Sequence, residues 1–371
     1  MNQRPYTVIL IVPTGIGAAI GGYAGDALPV ARAIASVADR LITHPNVLNG
    51  AQLYWSLPNV FYVEGYGLDK FAAGCWGLRP VHQNSIGLIL DQAIEPELRL
   101  RQLQAADAAR ATLGLNVTDC VVTDAHLGVE LRTSDSGASW GTIQNPDSLL
   151  RAAEKLVTQV GVDAIAVVAR FPDDIDSHAL QQYRHGKGVD PLAGAEAVIS
   201  HLIVRQFRVP CAHAPALLPL PLDPDISPRS AAEEIGYTFL PSVLVGLSRA
   251  PQFVTNTSSQ DIWANQVDAV VIPATACGSS TVLSLSQSRT QIVAVQENQT
   301  QIYVPPEPLG IKAISVNSYL EAIGVLATHK AGVAFNALNP NLPSTPVRST
   351  EETSARDWLP LTPHPSPLFT P

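Results

Sequence analysis

Eight apolar runs of four to six residues recur along this chain and constrain its fold more than any other feature: Thr7–Val12, Arg40–Thr43, Asn59–Val63, Ile86–Leu90, Cys120–Thr123, Ala164–Ala169, Val267–Ile272 and Ile292–Val295. Runs of that length with little polar alternation suit strands buried on both faces, as in a parallel sheet covered by helices on each side. Helix signals fall between them. Asn145 precedes Pro146, Asp190 precedes Pro191, and Ser230 stands three residues before Glu233, each an acceptor placed to cap a first turn. Gly114 and Gly161 follow alanine-rich and leucine-rich stretches and predict helix ends. This alternation predicts an α/β fold, Rossmann-like, with mostly parallel sheets flanked by helices.

A length of 371 residues, 46% of them apolar, provides core for more than one packing unit. The polar stretch Arg132–Gly141 is the expected break, giving an N-terminal lobe over 1–135 and a C-terminal lobe over 136–338. A proline-rich tail follows over 339–371. Six prolines in Val209–Pro228 predict an extended ordered loop or a crossing between units there.

Charge and cysteine usage narrow the function. The 23 basic residues are scattered and outnumbered by 32 acidic ones, for a net charge of −9, so no basic surface for nucleic acid is expected. Cys75, Cys120, Cys211 and Cys277 form no C-x-x-C pair, which argues against a zinc knuckle or a disulfide framework. Residues 5–25 are uncharged, yet Pro13 and five glycines break any apolar helix, so neither an export signal nor a membrane span is expected. A cytoplasmic homo-oligomer is the expectation, because charged residues are few.

In parallel α/β sheets ligands bind beyond the carboxyl ends of the strands. Here those positions are polar: Thr14-Gly15, His44 with Asn46 and Asn49, Asp124 with His126, Cys277-Gly278-Ser279-Ser280, and Glu297-Asn298. If the strands are parallel, these clusters converge on one edge. Gly15, Gly17, Gly21, Gly22 and Gly25 form a turn after the first strand whose amides could cradle an anion, with Asp26 capping the next helix. The turn departs from the dinucleotide fingerprint, since Ile20 takes the place of the third glycine and His44 stands where a ribose-binding carboxylate is expected. The Cys277–Thr281 segment is a second possible cradle, and its simpler reading is a Ser/Thr N-cap on a short helix. Asp124 and His126, two residues apart, form either an ordering hydrogen bond or the nucleus of a metal site assembled from distant segments. His213 lies in a constrained loop where a functional role is plausible, whereas His201 reads as a core or interface residue.

Five stretches, Gly21–Ala27, Thr43–Ala51, Gly188–Pro191, Pro210–Pro215 and Ala231–Tyr237, resemble an uncharacterised family, a domain of unknown function found in cyanobacteria and plastids. The resemblance covers about residues 6–335. It implies a phototroph setting and carries no reaction, ligand or cofactor.

Two functions remain. The first is an enzyme of non-redox transfer, hydrolysis or isomerisation acting on a small anionic metabolite at the strand ends. Asp124, His126, His44, Glu297 and Cys277 would supply its chemistry, and the glycine loop, Asp26, Asn46, Asn49, Gly278, Ser279, Ser280 and Asn298 would bind its substrate. The second is a non-catalytic metabolite-binding or assembly protein. Neither cofactor nor metal is specified.

Overall fold

The computed structural model describes residues 4–44, 56–173, 177–234, 240–342, 344 and 345. Most of the proline-rich tail therefore lies outside the described residues. All eight apolar runs are strands. In chain order the strands are β1 Thr7–Leu10, β2 Arg40–Thr43, β3 Val60–Tyr62, β4 Gly77–Arg79, β5 Ile86–Leu90, β6 Val117–Val122, β7 Val129–Thr133, β8 Ser139–Ile143, β9 Ala164–Arg170, β10 Cys211–Ala216, β11 Gln252–Val254, β12 Val267–Pro273, β13 Gln291–Val295 and β14 Ala313–Val316. The helices are α1 Leu28–Val37, α2 Gly65–Ala72, α3 Pro96–Leu113, α4 Pro146–Lys155, α5 Ser177–Arg184, α6 Ala193–Phe207, α7 Pro228–Ala232, α8 Leu240–Ser248, α9 Ser280–Ser286 and α10 Tyr319–Lys330.

Six strands form one wholly parallel sheet in the order β3-β2-β1-β12-β13-β14. Numbered along this sheet alone, that is 3-2-1-4-5-6, the doubly wound order of dinucleotide-binding folds, with its switch point between β1 and β12. A second parallel sheet, β6-β5-β9-β10, is built from the intervening chain. The six-stranded sheet thus draws on both ends of the described chain. Arg132–Gly141, expected as a break between lobes, forms most of the β7–β8 hairpin.

Both sheets share the same two apolar layers. Val8 and Leu10 belong to one cluster with Leu88, Ala166, α1, α3, α8 and α10. Ile9 and Ile42 belong to the other with Ile89, Val167, α2, α4, α6 and α9. Alternate residues of a buried strand face opposite layers, which is why the runs lack polar positions. The edges of the two sheets are also tied, since the Tyr62 hydroxyl donates to the Cys211 carbonyl at 2.7 Å.

Gly114 and Gly161 do end their helices, in the left-handed conformation at φ 67° and 78°. Three local expectations are corrected. Val209–Pro228 contains β10, which tolerates Pro215 because it is an edge strand that pairs, among the described residues, only with β9. The N-cap of α1 is Ala27, so Asp26 does not cap it. Ser230 sits inside α7 rather than capping it, and its hydroxyl donates to the Tyr183 carbonyl at 2.8 Å.

Candidate functional site

The polar residues at the strand ends do not form one ring. Asp124 and His126 follow β6, at the edge of the four-stranded sheet opposite β10. Asp124 is exposed and held by two hydrogen bonds from Arg151, at 2.7 and 2.8 Å, and by Ser148; these partners hold its carboxyl well below the usual range. The His126 side chain is exposed. Glu297, after β13, is exposed and accepts the Tyr319 amide at 2.8 Å, which fastens the start of α10.

At the switch point, segment 298–304 lies across the crevice. Buried Asn298 accepts the Ile20 amide at 2.9 Å and donates to the Ile20 carbonyl and the Tyr319 hydroxyl, each at 2.8 Å. The Ala19 amide donates to the Gln299 carbonyl, the Gln301 amide to the Ile16 carbonyl, and the Cys277 amide to the Val304 carbonyl. Within the glycine turn, the Ala19 and Ile20 amides are thus engaged by this segment. The turn is also packed against the four-stranded half. A side chain on Gly17, at φ 63°, would stand 2.9 Å from the Gly188 carbonyl, and one on Gly15 would meet Ser139. Gly21 and Gly25 are left-handed as well, at φ 91° and 79°. Gly22 has no room for a β-carbon above the Ala18 carbonyl.

The remaining candidates are placed as follows. Cys277 is fully buried, and its thiol, pushed up to about 11 by burial and by Glu307, donates to the Pro273 and Ala274 carbonyls. Ser279 caps α9 by accepting the Val282 amide at 3.3 Å, Gly278 packs under Val304, and Ser280 is exposed. Buried His44 accepts the Val12 amide at Nε2, 3.0 Å away, so its ring hydrogen sits on Nδ1; burial pulls its pKa down to about 4 and keeps it neutral. Asn46 and Asn49 lie outside the described residues.

What the fold does bring together is a polar seam between the two sheets. It is built by the glycine turn after β1, by the segments flanking α5 and α7, by α6 and by β10. The rings of Tyr23 and Tyr183 stack with centroids 4.5 Å apart. The Tyr23 hydroxyl donates to the Tyr183 carbonyl at 3.2 Å, and the Tyr183 hydroxyl stands 3.2 Å from the Gly22 carbonyl and 2.5 Å from Glu233. Asp26, with only 4% of its side chain exposed, accepts from Arg229 at 2.8 Å. Burial raises its carboxyl, and Arg229 opposes that shift.

Helix α6 supplies the next layer. Asp190, just before it, accepts the Leu192 amide at 2.8 Å. One turn apart on α6, Glu196 and Ser200 meet His213 of β10: His213 Nε2 is 3.6 Å from Glu196, and Nδ1 is 3.2 Å from the Ser200 hydroxyl. His201 reaches the buried carboxylate of Glu64 at the end of β3, which also accepts the Tyr66 and Gly67 amides. Burial opposes the charge of His201, but the Glu64 contact outweighs it and raises the imidazole.

The charge balance of this seam is unusual. Burial, reinforced by the neighbouring Glu196, raises Asp190 to about 7. Burial and then Asp190 raise Glu233 well above the usual carboxylate range. Tyr183 is raised for the same reasons and stays a phenol. Strand-end reasoning passed over Tyr23, Tyr183, Asp190, Glu196 and Glu233 as site residues. A signal was present, because four of the five distinctive stretches carry Tyr23, Asp190, His213 and Glu233, and the fifth begins at Thr43 beside His44.

The profile of a family described as a protein of unknown function, DUF3326, matches residues 7–339. This chain belongs to that family. An uncharacterised lipoprotein of Synechococcus, a cyanobacterium, is 63% identical to this DUF3326 protein over 342 residues, which covers 92% of this chain and 95% of that one. No solved structure matches it. Among the described residues of this DUF3326 protein, no three His, Cys, Asp or Glu side chains are grouped to hold a metal ion. None of its described helices is long and apolar enough to cross a membrane.

Proposed function

We propose that this protein is a non-redox enzyme that works by acid–base chemistry on a small anionic metabolite, and that its site is the seam rather than the strand ends. The observation that carries this reading is the grouping of buried Asp190 with Glu196 and Glu233 in a seam that also holds buried His213, where burial and like charge raise the Asp190 carboxyl. A carboxyl poised near neutral pH can both give and take a proton under working conditions. In its protonated form it donates a hydrogen bond to an oxygen anion without adding negative charge. His213, oriented from both ring nitrogens by Glu196 and Ser200, is the partner base. Transfer, hydrolysis and isomerisation all fit this pair.

The test is incubation of the purified protein with a cyanobacterial metabolite extract, followed by mass spectrometry of the small molecules. The wild type should consume one species, and Asp190→Asn and His213→Gln should not. An extract left unchanged by the wild type, or changed equally by the variants, would remove the enzyme reading.

The location that goes with this reading is the cytoplasm. In its support, the uncharged segment near the N-terminus contains β1, which is hydrogen-bonded on both sides, to β2 and β12. Cleavage of a leader within that segment would take a central strand out of the sheet. The mass of the N-terminal peptide from cells distinguishes this from lipid attachment of the kind named for the Synechococcus relative. Self-association belongs to the same proposal; Leu222, Tyr303 and Leu320 are the most exposed large apolar residues described, and light scattering reads the assembly size.

A further inference from the structure

The hydrogen count around Tyr183 does not close unless a neighbour carries a proton. Its hydroxyl has one hydrogen, yet it lies within bonding distance of two acceptors, the Gly22 carbonyl at 3.2 Å and Glu233 Oε2 at 2.5 Å. If Glu233 is protonated, its O–H donates to the Tyr183 oxygen, and the Tyr183 hydrogen is free for Gly22. The Ala24 amide faces the same carboxyl and favours its charged form. The neutral acid frees Tyr183 to fasten the glycine turn at Gly22. If Glu233 is ionised, it takes the Tyr183 hydrogen for itself and leaves the half-buried Gly22 carbonyl without this donor, at the cost of a hydrogen bond.

We propose that Glu233, Tyr183 and the Gly22 carbonyl form a proton-operated latch that holds the glycine turn of the six-stranded half against the four-stranded half and releases it when Glu233 ionises. The charges facing the latch favour the neutral acid. From α6 and the residues before it come Glu196 and Asp190, Glu196 being itself faced by His213 of β10, and from the turn come Tyr23 and, beside it, Asp26. The nearby cations are committed: Arg229 of α7 pairs with Asp26, and Arg184 of α5 pairs with Glu234 and faces Asp223, which His185 also contacts. The stacked Tyr23 ring and the Ser230 hydroxyl hold Tyr183 in place whichever way the proton lies. This inference goes beyond the proposed enzyme activity and does not depend on it, because its readout needs no turnover.

The experiment is hydrogen exchange of the full chain read by mass spectrometry between pH 6 and pH 10, with rates corrected for the intrinsic pH dependence of exchange. In the wild type, protection of the peptide spanning 16–27 should fall about tenfold or more across that range, as expected when about 1.4 kcal/mol or more of local closure is lost. Glu233→Gln keeps a donor toward Tyr183 and an acceptor toward Ala24 but cannot ionise, so its protection should be high and flat. Tyr183→Phe removes the bridge, so its protection should be low and flat. Wild-type protection that does not change with pH, or a Glu233→Gln profile that falls like the wild type, overturns the latch. If Glu233→Gln does not fold, the wild type and Tyr183→Phe still decide: equal pH dependence in those two overturns it as well.

Discussion

Replacing Asp190 by asparagine should change the pH dependence of stability in a way that can be worked out in advance. In the unfolded chain this carboxyl loses its proton near the ordinary value of 3.8, and in the folded protein near 7. Between those two values the native state holds a proton that the unfolded state has released. Stability therefore falls as pH rises through the window, by about 1.4 kcal/mol per pH unit at most, and levels off above the folded value. Over the whole window the loss is on the order of 4 kcal/mol, a large part of the stability of an ordinary domain. Asparagine keeps an acceptor for the Leu192 amide and turns donors toward Glu196, but it has no proton to lose. The variant should match the wild type near pH 4 and exceed it at pH 8 by on the order of 4 kcal/mol. Urea unfolding followed by tryptophan fluorescence at each pH measures the difference directly. A difference that stays constant from pH 4 to pH 8, or a variant less stable than wild type at pH 8, would mean that Asp190 loses its proton in the folded seam no later than in the unfolded chain, and the acid–base reading would lose its basis.

Two further outcomes are expected. Asn298→Ala strands the Ile20 amide, the Ile20 carbonyl and the Tyr319 hydroxyl at a fully buried position, at a cost of about 3 kcal/mol by calorimetry; a loss below about 1 kcal/mol would show that water replaces the amide. Iodoacetamide at pH 8 should label exposed Cys75 in the folded protein and reach buried Cys277 only after denaturant is added, and peptide mapping that finds Cys277 labelled first would contradict its placement.

Much of the fold was legible because its signals are local. A continuous apolar run such as Ala164–Ala169 can only be buried on both faces, and it became a central strand; Gly114 and Gly161 end helices because a left-handed residue is easiest for glycine. The edge strand β10 was hidden by Pro215, which a covered central strand would not tolerate and an edge strand does. The candidate site was legible only in fragments. His213 and the glycine turn stood out, but Asp26 was read as a helix cap and Ser230 as part of a capping box. Their actual partners, Arg229 and Tyr183, lie 203 and 47 residues away in the chain.

The sequence by itself determined which segments become strands, where several helices stop, and which five stretches are distinctive. Tertiary structure decided that the four-stranded sheet is built between β3 and β12, that segment 298–304 covers the switch point, and that Asp190, Glu196, Glu233 and His213 share one seam. The physical reason is range. Strand and helix preferences are set by residues two to four positions apart, whereas a carboxyl rises to neutral pH only when distant segments close over it, remove water and set other carboxyls beside it.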